Sequence, residues 1–260
     1  MSIPTLSLII PTYNERENLP LLLEKIFSAL NRYNITGEVV VVDDNSPDGT
    51  AALAEDLSEK YPVRVVKRAG KLGLSSAVIA GWNAALGELV GVIDADLSHD
   101  PNILPDMVYS ITHGGADVAL GSRYIPGGGV SNWPWYRRIT SLVAVLMGRI
   151  IAPVNDVTSG YMVFRREIIR DVELDPIGFK INLEVLIKAN YSTVTEVPFT
   201  FVDRQAGKSK FNGGEIKAYL IHLSRLFAYW IKVRPRRKRI KYTKCPLPQK
   251  QDLSSPEEKE

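Results

Sequence analysis

The chain has 260 residues, of which 45% are hydrophobic and 23% charged, and its formal net charge is +3 at pH 7. These values predict an ordinary globular chain with one domain, with or without an appendage. The net charge is too small to indicate a nucleic-acid-binding protein. A single cysteine, Cys245, excludes an internal disulfide framework and suits a reducing compartment.

The sequence shows no targeting or membrane-spanning segment. The opening "MSIPTLSLII" has no basic region ahead of its apolar residues and no small-residue cleavage pattern, so it predicts a first strand and not a signal peptide. Two later apolar runs are interrupted, one by Arg149 and the other by His222 and Arg225. Because no run reaches eighteen apolar residues, we expect no transmembrane helix.

The first half of the chain alternates short β-branched runs with amphipathic stretches, which is typical of βαβ units around a mostly parallel sheet. Strands are predicted over 5–10, 38–43, 63–68, 89–94 and 117–122, and helices over 17–32, 48–60, 74–86 and 101–112. The valine-rich strands show no polar alternation, which indicates burial on both faces. The predicted fold class is therefore α/β.

The second half begins with a glycine, proline and tryptophan loop, "IPGGGVSNWPW", which we interpret as functional. The elements predicted after it are a helix over 136–152, a strand over 160–165, a helix over 180–190, a strand over 197–204 and a helix over 214–233. The last helix has apolar residues at helical spacing, namely Ile216, Leu220, Leu223, Phe227 and Trp230. Residues 234–244 carry seven basic side chains, and the tail 234–260 is predicted to be disordered.

Polar residues follow three of the predicted strands, in "PTYNERE", "DDNSPDG" and "DADLSHD". In open α/β sheets, ligands bind beyond the carboxyl ends of the strands. Asp94 and Asp96 are two positions apart, so an extended chain would turn both carboxylates to one spot, as a Mg²⁺ or Mn²⁺ site requires. An isolated D-x-D is more often a turn or a cap, and Asp100 before Pro101 has the sequence of a helix start.

Other residues at these strand ends suit a nucleotide. The Asp44 carboxylate could accept hydrogen bonds from a base or ribose, and Tyr13 offers an aromatic face to a nucleobase. Glu15 suits either nucleotide binding or the first turn of a helix. For Asp43 and Asp48, a capping role is the preferred interpretation.

Basic residues for a diphosphate come from later in the chain. They are Arg123, Arg137, Arg138, Arg204, Lys208 and Lys210. Arginine forks match phosphate oxygens and lysine adds a point charge, so together these side chains could stabilise a departing diphosphate. Taken singly, each is more often a solvated surface residue.

Six motifs carry a family resemblance: "PTYNERENLP", "VVVVDDNSPDGT", "DADLSHDP", "GSRY", "SGYMVFRREI" and "EVPFTFVDRQAGKSK". In this order, over about residues 4 to 214, they closely resemble the dolichol-phosphate mannosyltransferase branch of the family 2 glycosyltransferases. The resemblance implies a GT-A fold, a nucleotide-sugar donor (GDP-mannose in this branch), Mg²⁺ or Mn²⁺, and a polyprenyl phosphate acceptor. It divides the chain into a GT-A domain over 1–212, an amphipathic helix over 213–233 and the tail.

The resemblance also implies roles for individual residues. The guanosine contacts would be Pro11, Tyr13, Glu15, Val42 and Asp44. The metal and donor contacts would be Asp94, Ala95 and Asp96. Arg123, Arg204 and Lys210 would contact the diphosphate or the acceptor phosphate and, with Asp96, serve the transfer itself. Ser98 stands where some members ligate the metal through glutamine, and its shorter side chain leaves direct coordination open.

The implied chemistry is an inverting displacement. A phosphate monoester has a second pKa near ~6, so the acceptor is largely dianionic at neutral pH and needs no catalytic base. Glu184 would at most contact the sugar donor or the lipid acceptor, since a glutamate in a helix more commonly lies on the helix surface. The alternatives are a UDP-sugar donor carrying glucose or an N-acetylhexosamine, and a catalytically silent binding module.

The expected location is the cytoplasmic face of a membrane, held peripherally, with a separate membrane subunit as one option. The helices over 136–152 and 214–233 could lie in the membrane interface or simply pack on the sheet. The basic run over 234–244 would add attraction to anionic lipids, about 1 kcal/mol per nearby cation.

Overall fold

The structure, a computed structural model, describes residues 3–203, 213–233 and 241–242. Its strands are β1 (Leu6–Thr12), β2 (Gly37–Asp43), β3 (Val63–Lys67), β4 (Leu89–Val92), β5 (Val118–Ser122), β6 (Gly129–Ser131), β7 (Met162–Arg165), β8 (Thr193–Pro198), β9 (Thr200–Val202) and β10 (Lys241–Tyr242). Its helices are α1 (Leu19–Arg32), α2 (Thr50–Leu57), α3 (Leu74–Ala84), α4 (Leu104–Thr112), α5 (Trp135–Arg149), α6 (Ile181–Lys188) and α7 (Gly213–Val233).

Eight strands form one sheet in the order β10-β8-β5-β7-β4-β1-β2-β3. Strand β7 runs antiparallel to its neighbours β4 and β5, and the other pairs are parallel. Strands β6 and β9 pair separately, beside the carboxyl end of the large sheet. This confirms the expected α/β class with a mostly parallel sheet.

The valine run of β2 shows why this sheet needs helices on both faces. Successive side chains of a strand point to opposite faces, and Val39 and Val41 join one apolar core whereas Val40 and Val42 join the other. Helices α1, α2 and α4 cover the first face, and α3, α6 and α7 cover the second. Because both faces are buried, the strand has no polar alternation.

The boundaries of the elements differ from the predicted ones in places that matter for function. Strand β4 ends at Val92, so Asp94 and Asp96 lie in the turn after the strand and not on it. The predicted strand over 197–204 is two strands, β8 and β9, that belong to different sheets. The predicted loop over 125–135 contains the short strand β6.

Helix α7 packs on the same core as the sheet. Tyr219, His222, Leu223 and Leu226 form its buried side, and the Tyr219 hydroxyl donates to the Ala144 carbonyl of α5 at 2.7 Å. Of the apolar stripe predicted for this helix, Leu223 is buried, Trp230 is partly buried, and Ile216, Leu220 and Phe227 are exposed. The predicted stripe therefore coincides with the packed face only at Leu223 and Trp230.

The C-terminal tail, 234–260, lies outside the described residues except for Lys241–Tyr242, which pair with β8 as a parallel strand. This departs from the expected disorder at those two positions. Within the described residues, no helix combines the length and the apolarity that crossing a membrane requires.

Candidate active site

Sharp turns follow three strands at the carboxyl edge of the sheet. Asn14, Asn45 and Leu97 have left-handed backbones, with φ values of 60°, 57° and 61°. Asparagine tolerates this conformation, whereas for leucine it is uncommon and indicates a turn that the surroundings impose. These turns bring the polar residues after β1, β2 and β4 to one edge of the sheet.

The two predicted metal ligands surround a buried histidine. The Asp94 Oδ2 lies 3.7 Å from His99 Nδ1, and Asp96 acts electrostatically on the same ring. The Asp94 side chain is 29% exposed, and Asp96 is buried. The turn after β4, which ends before both residues, therefore places them near His99. Their joint binding of a metal stays a prediction.

Ser98 supports Asp96. Its backbone N–H and its hydroxyl both donate to Asp96 Oδ1, at 3.1 and 2.5 Å, and the serine is buried. The left-handed backbone of Leu97 turns the chain back to make this possible. The hydroxyl therefore orients the carboxylate, and direct coordination of a metal by Ser98 stays a prediction.

His99 is an uncharged, buried residue next to the two carboxylates. Its ring contacts Tyr161, Phe199 and Phe201, with centroids 5.2 to 5.4 Å apart. Burial lowers the pKa of His99 to about 4, against the attraction of Asp96. At neutral pH the ring is uncharged, so its contact with Asp94 is not an ion pair and leaves the negative charge of Asp94 in place.

Arg123 forms a buried ion pair with Asp156. The guanidinium donates from Nε and from Nη2 to the two oxygens of Asp156, each at 2.7 Å, and Nη2 also donates to Thr158 at 2.8 Å. Burial opposes both charges, but Asp156 raises the pKa of Arg123, and Arg123 lowers the pKa of Asp156. Both groups are therefore charged at neutral pH.

Glu196 holds the loop that carries Asp156. Its buried carboxylate accepts from the backbone N–H groups of Asn155 and Asp156, both at 2.9 Å. Lys180 donates to the Thr158 carbonyl in the same loop, at 2.6 Å. This network fixes the position of the Arg123 charge, which also interacts with Asp94.

Asp43 and Asp48 both bind groups of nearby turns, but neither is the N-cap residue that was predicted, because Gly49 precedes the start of α2 at Thr50. Asp43 accepts from Thr12 and from both the N–H and the hydroxyl of Ser46. Asp48 accepts from the Thr50 N–H at the start of α2, although Gly49 is the N-cap residue. Burial alone would raise the pKa of Asp48, but its hydrogen bonds to Thr50 and to the Arg16 N–H lower it.

Asp44 is engaged within the chain itself. Its Oδ2 accepts from the N–H groups of Leu72 and Gly73 at 3.0 and 2.9 Å, and its Oδ1 lies 2.7 Å from Arg68 Nη1. Beside it, the Lys71 ammonium lies 4.1 Å from the centroid of the Tyr13 ring. The contact of Asp44 with a nucleotide stays a prediction.

The other predicted nucleotide contacts are also at this edge. Pro11 and Val42 are register partners in β1 and β2, and the Val42 side chain is buried. The Glu15 N–H donates to Thr50 at 3.0 Å, and its carboxylate accepts from Asn18 at 2.9 Å in the turn before α1. Ala95 is buried between the two aspartates.

Part of the predicted phosphate-binding set cannot be placed. Arg204, Lys208 and Lys210 lie outside the described residues. Arg137 pairs with Asp203 at 2.8 Å and stacks on Trp133, and Arg138 is exposed. Of the members of this set that the structure describes, Arg123 is the one that interacts with Asp94, and its Nε and Nη2 atoms are bound to Asp156.

Glu184 is not a helix-surface residue, contrary to the commoner role assumed for it. It is fully buried, lies 2.6 Å from Lys188 and accepts from the Asp175 N–H at 2.8 Å. It also faces His222 of α7, at 3.8 Å. Its contacts connect α6 with α7.

The charges of the site suit a divalent cation. Among the described residues, the carboxylates around His99 are those of Asp94, Asp96 and Asp156, and the cations are Arg123 and Lys180. No cluster of three or more His, Cys, Asp and Glu able to hold a metal occurs in the described ranges. Two carboxylates fit Mg²⁺ or Mn²⁺, which take their other ligands from water and substrate phosphates.

Sequence reasoning missed Asp156, Glu196, His99, Arg68 and Lys71. Asp156 lies 33 positions from Arg123, in a loop without strand or helix periodicity. Its sequence "NDVTSG" carries only a turn signal. His99 was visible as part of the motif after β4, but its burial depends on aromatic residues far along the chain.

We predict that Asp156→Ala lowers the free energy of unfolding by about 3–5 kcal/mol at pH 7, because it leaves the buried Arg123 without its counter-ion. Thr158→Val, which removes a neutral partner of the same guanidinium, should cost about 1 kcal/mol. Urea denaturation followed by circular dichroism measures both. Equal losses in the two variants would contradict the ion pair.

The ion pair also predicts a pH dependence. The folded pKa of Asp156 lies below the ordinary value of 3.8, so its contribution is present at neutral pH and is lost as the pH falls through the folded value. The stability difference between wild type and Asp156→Asn should therefore shrink below about pH 4. A difference that stays constant into acid would contradict it.

Comparison with known proteins identifies close relatives. The dolichol-phosphate mannosyltransferase of Pyrococcus furiosus is 50% identical over 227 residues, which are 86% of this chain and 64% of that protein. The polyprenol monophosphomannose synthase of Mycolicibacterium smegmatis is 42% identical over 221 residues, which are 80% of this chain and 82% of that protein. The chain thus spans less than two thirds of the length of the first relative.

Solved structures share the fold at lower identity. A mannosyltransferase from Pyrobaculum calidifontis in complex with GDP-Man and Mn²⁺ is similar with a TM-score of 0.58 at 20% identity, over 89% of this chain and 65% of that one. The fold is GT-A, as expected. A family model described as glycosyl transferase family 2 matches residues 7–173, which is more than half of the chain. The chain therefore belongs to glycosyl transferase family 2.

Proposed function

We propose that this chain is an inverting glycosyltransferase that moves mannose from GDP-mannose to a polyprenyl phosphate. The observation that carries the proposal is the partly exposed Asp94 near the buried Asp96, with the fixed Arg123 charge next to them, in a chain that is 50% identical to a dolichol-phosphate mannosyltransferase. Asp94 and Asp96 would hold Mg²⁺ or Mn²⁺ together with the donor diphosphate. The bound cation would supply Lewis-acid stabilisation of the negative charge on that diphosphate.

The chain's own groups determine the rest of the reaction. Asp156 keeps Arg123 positively charged and oriented beside the departing diphosphate, and Ser98 orients Asp96. An oxygen of the acceptor phosphate attacks the anomeric carbon as the bond from that carbon to the diphosphate breaks, so GDP leaves with the electron pair and the configuration inverts. The dianionic acceptor has no proton to lose, and no side chain has to act as a base.

The neutral His99 supports the proposed binding of a cation by Asp94 and Asp96. With a pKa of about 4, the ring does not neutralise Asp94 or Asp96 at physiological pH. The aromatic cage beneath the aspartates also excludes water from that side of the site. Both effects favour cation binding by the two carboxylates.

The exposed surface of helix α5 suits a lipid acceptor. The exposed side of α5 is apolar over its whole length, and consists of Trp135, Tyr136, Ile139, Leu142, Val143, Leu146 and Met147, continued by Ile150. Arg138 and Arg149 flank this face. Helix α7, which contacts α5 through Tyr219, adds exposed Ile216, Leu220 and Phe227.

We propose that this α5–α7 face lies on the membrane surface that contains the acceptor. An apolar face with flanking arginines and an aromatic start is the composition of helices that lie in the plane of the bilayer interface. A patch of this size is unusual for a surface in contact with water alone. The placement on the cytoplasmic leaflet belongs to the same proposal, and the basic run over 234–244 would strengthen it.

Transfer should occur from GDP-mannose to dolichyl phosphate in the presence of Mn²⁺. The assay incubates the protein with dolichyl phosphate and radiolabelled GDP-mannose, UDP-glucose or UDP-N-acetylglucosamine, and measures label in the lipid phase. If lipid product forms from a UDP-sugar and not from GDP-mannose, the donor is a UDP-sugar and the assignment of GDP-mannose is wrong. Absence of product from every donor, with nucleotide binding retained, would favour a binding module.

Within the same motif, Asp96 and Asp100 should behave differently. Asp96→Ala should reduce transfer at least about a hundredfold, because it removes one of two ligands of the cation. Asp100→Asn should retain activity, since Asp100 caps the turn at Pro101–Ile103 and asparagine caps equally well. Undiminished transfer by Asp96→Ala would contradict the metal role.

Membrane binding should depend on the α5–α7 face. Replacing Leu142 and Leu146 by glutamate should weaken binding to phosphatidylcholine–phosphatidylglycerol vesicles at least about tenfold, because each substitution puts a charged side chain in place of an apolar one that would enter the bilayer. The matched control is Leu21→Glu, an exposed leucine of α1 on the other face of the sheet. Equal binding by all variants in a flotation assay would contradict this role of the α5–α7 face. Another part of the protein or a separate membrane subunit would then bring it to the membrane.

A further inference from the structure

A lysine covers the aromatic ring at the end of β1. Lys71 belongs to the loop over 68–73 between β3 and α3, and its ammonium lies 4.1 Å from the centroid of the Tyr13 ring. At this distance a cation is attracted to the electron-rich face of the ring. The Lys71 side chain is exposed, so this contact places an ammonium group at the mouth of the site.

The backbone that carries Lys71 is fixed. Arg68 reaches across the loop, donating to the Gly73 carbonyl at 3.2 Å and to the Ser76 hydroxyl at 2.7 Å. Asp44 accepts from the N–H groups of Leu72 and Gly73 and pairs with Arg68. Gly73 has a φ of 98°, a conformation that glycine adopts without strain and that closes the loop onto α3.

This arrangement gives Asp44 a second role. Its side chain is 6% exposed, and both of its oxygens contact the loop over 68–73. The carboxylate therefore acts as a positioning residue for Lys71. Asp44 and Lys71 come together only because parallel strands β2 and β3 end at the same edge of the sheet.

A nucleobase that stacks on the face of Tyr13 that Lys71 covers must displace the ammonium from that face. Because the backbone of Lys71 is fixed, its four-carbon stem allows the displaced ammonium to reach the edge of the base without leaving the site. A lysine ammonium has three donors and no acceptor. Guanine offers two adjacent acceptors on one edge, O6 and N7, whereas adenine presents an amino donor in place of O6.

We propose that Lys71 is a specificity-determining residue that reads the O6/N7 edge of the donor's guanine, held in place by the Asp44–Arg68 ion pair. The inference rests on the proposed use of GDP-mannose and deepens it by naming the group that selects the base. Lysine at this position favours guanine over adenine, because adenine would place its amino group against the ammonium.

The test compares nucleotide affinities by isothermal titration calorimetry in Mn²⁺, using GDP and ADP as probes. Lys71→Met, which keeps the length of the side chain and removes the donor, should weaken GDP binding about tenfold and change ADP binding less than about twofold. The matched control is Lys60→Met. Lys60 also lies over a tyrosine, 5.0 Å from the Tyr61 ring, but at the amino end of β3, so both affinities should stay unchanged.

The outcomes separate this inference from the proposed function. Wild-type protein that prefers ADP to GDP would overturn the GDP assignment and the base-reading role together. If the wild type prefers GDP and Lys71→Met weakens both nucleotides equally, the lysine contacts the phosphates or the ribose, and only the role of Lys71 is overturned. Unchanged GDP affinity in Lys71→Met would overturn that role as well.

Discussion

The buried ion pair between Arg123 and Asp156 is the interaction on which the site depends. A guanidinium in this position costs a large desolvation energy unless a carboxylate meets it, and Asp156 does so with two hydrogen bonds of 2.7 Å. Glu196 fixes the loop beneath Asp156. The result is a positive charge that cannot move away from Asp94. The same pair occupies the Nε and Nη2 atoms of Arg123, so the guanidinium is a fixed charge and cannot turn its whole fork to a phosphate.

A second buried carboxylate, Asp44, also positions a cation, in the loop between β3 and α3. Asp44 satisfies two backbone N–H groups and Arg68, and thereby builds the loop that brings Lys71 to Tyr13. In both places a buried carboxylate positions a cation, Arg123 in one case and Lys71 in the other. Beside Asp94 and Asp96, burial lowers the pKa of His99 to about 4, so the ring adds no positive charge there at neutral pH. Asp44 and Asp156 thus orient cations of the chain, whereas Asp94 and Asp96 are the carboxylates that we propose to bind the metal.

The strands and helices were predictable because their patterns are local. The valine run of β2 and the apolar spacing of α1 are enough by themselves to predict which of their side chains are buried. The predicted strand 38–43 matches Gly37–Asp43 within one residue. The partners of the site residues were not predictable, because they are set by distant segments. Asp156 meets Arg123 across 33 positions, and Glu184 is buried only because His222 and Lys188 surround it. Strand β4 ends at Val92, two residues before the predicted end at position 94, so Asp94 lies in the turn and not on the strand. The left-handed backbone of Leu97 follows Asp96 in the same turn.

The most direct test of this account is the coupling between metal and nucleotide. Two carboxylates that hold a cation jointly with a diphosphate should bind Mn²⁺ weakly alone and more tightly with GDP, and by reciprocity GDP should bind more tightly with Mn²⁺. Electron paramagnetic resonance of free Mn²⁺ measures this, with wild type and Asp96→Asn titrated with and without GDP. The account predicts that GDP increases the Mn²⁺ affinity of the wild type and that Asp96→Asn abolishes the increase. An Mn²⁺ affinity that is the same with and without GDP in the wild type would contradict it.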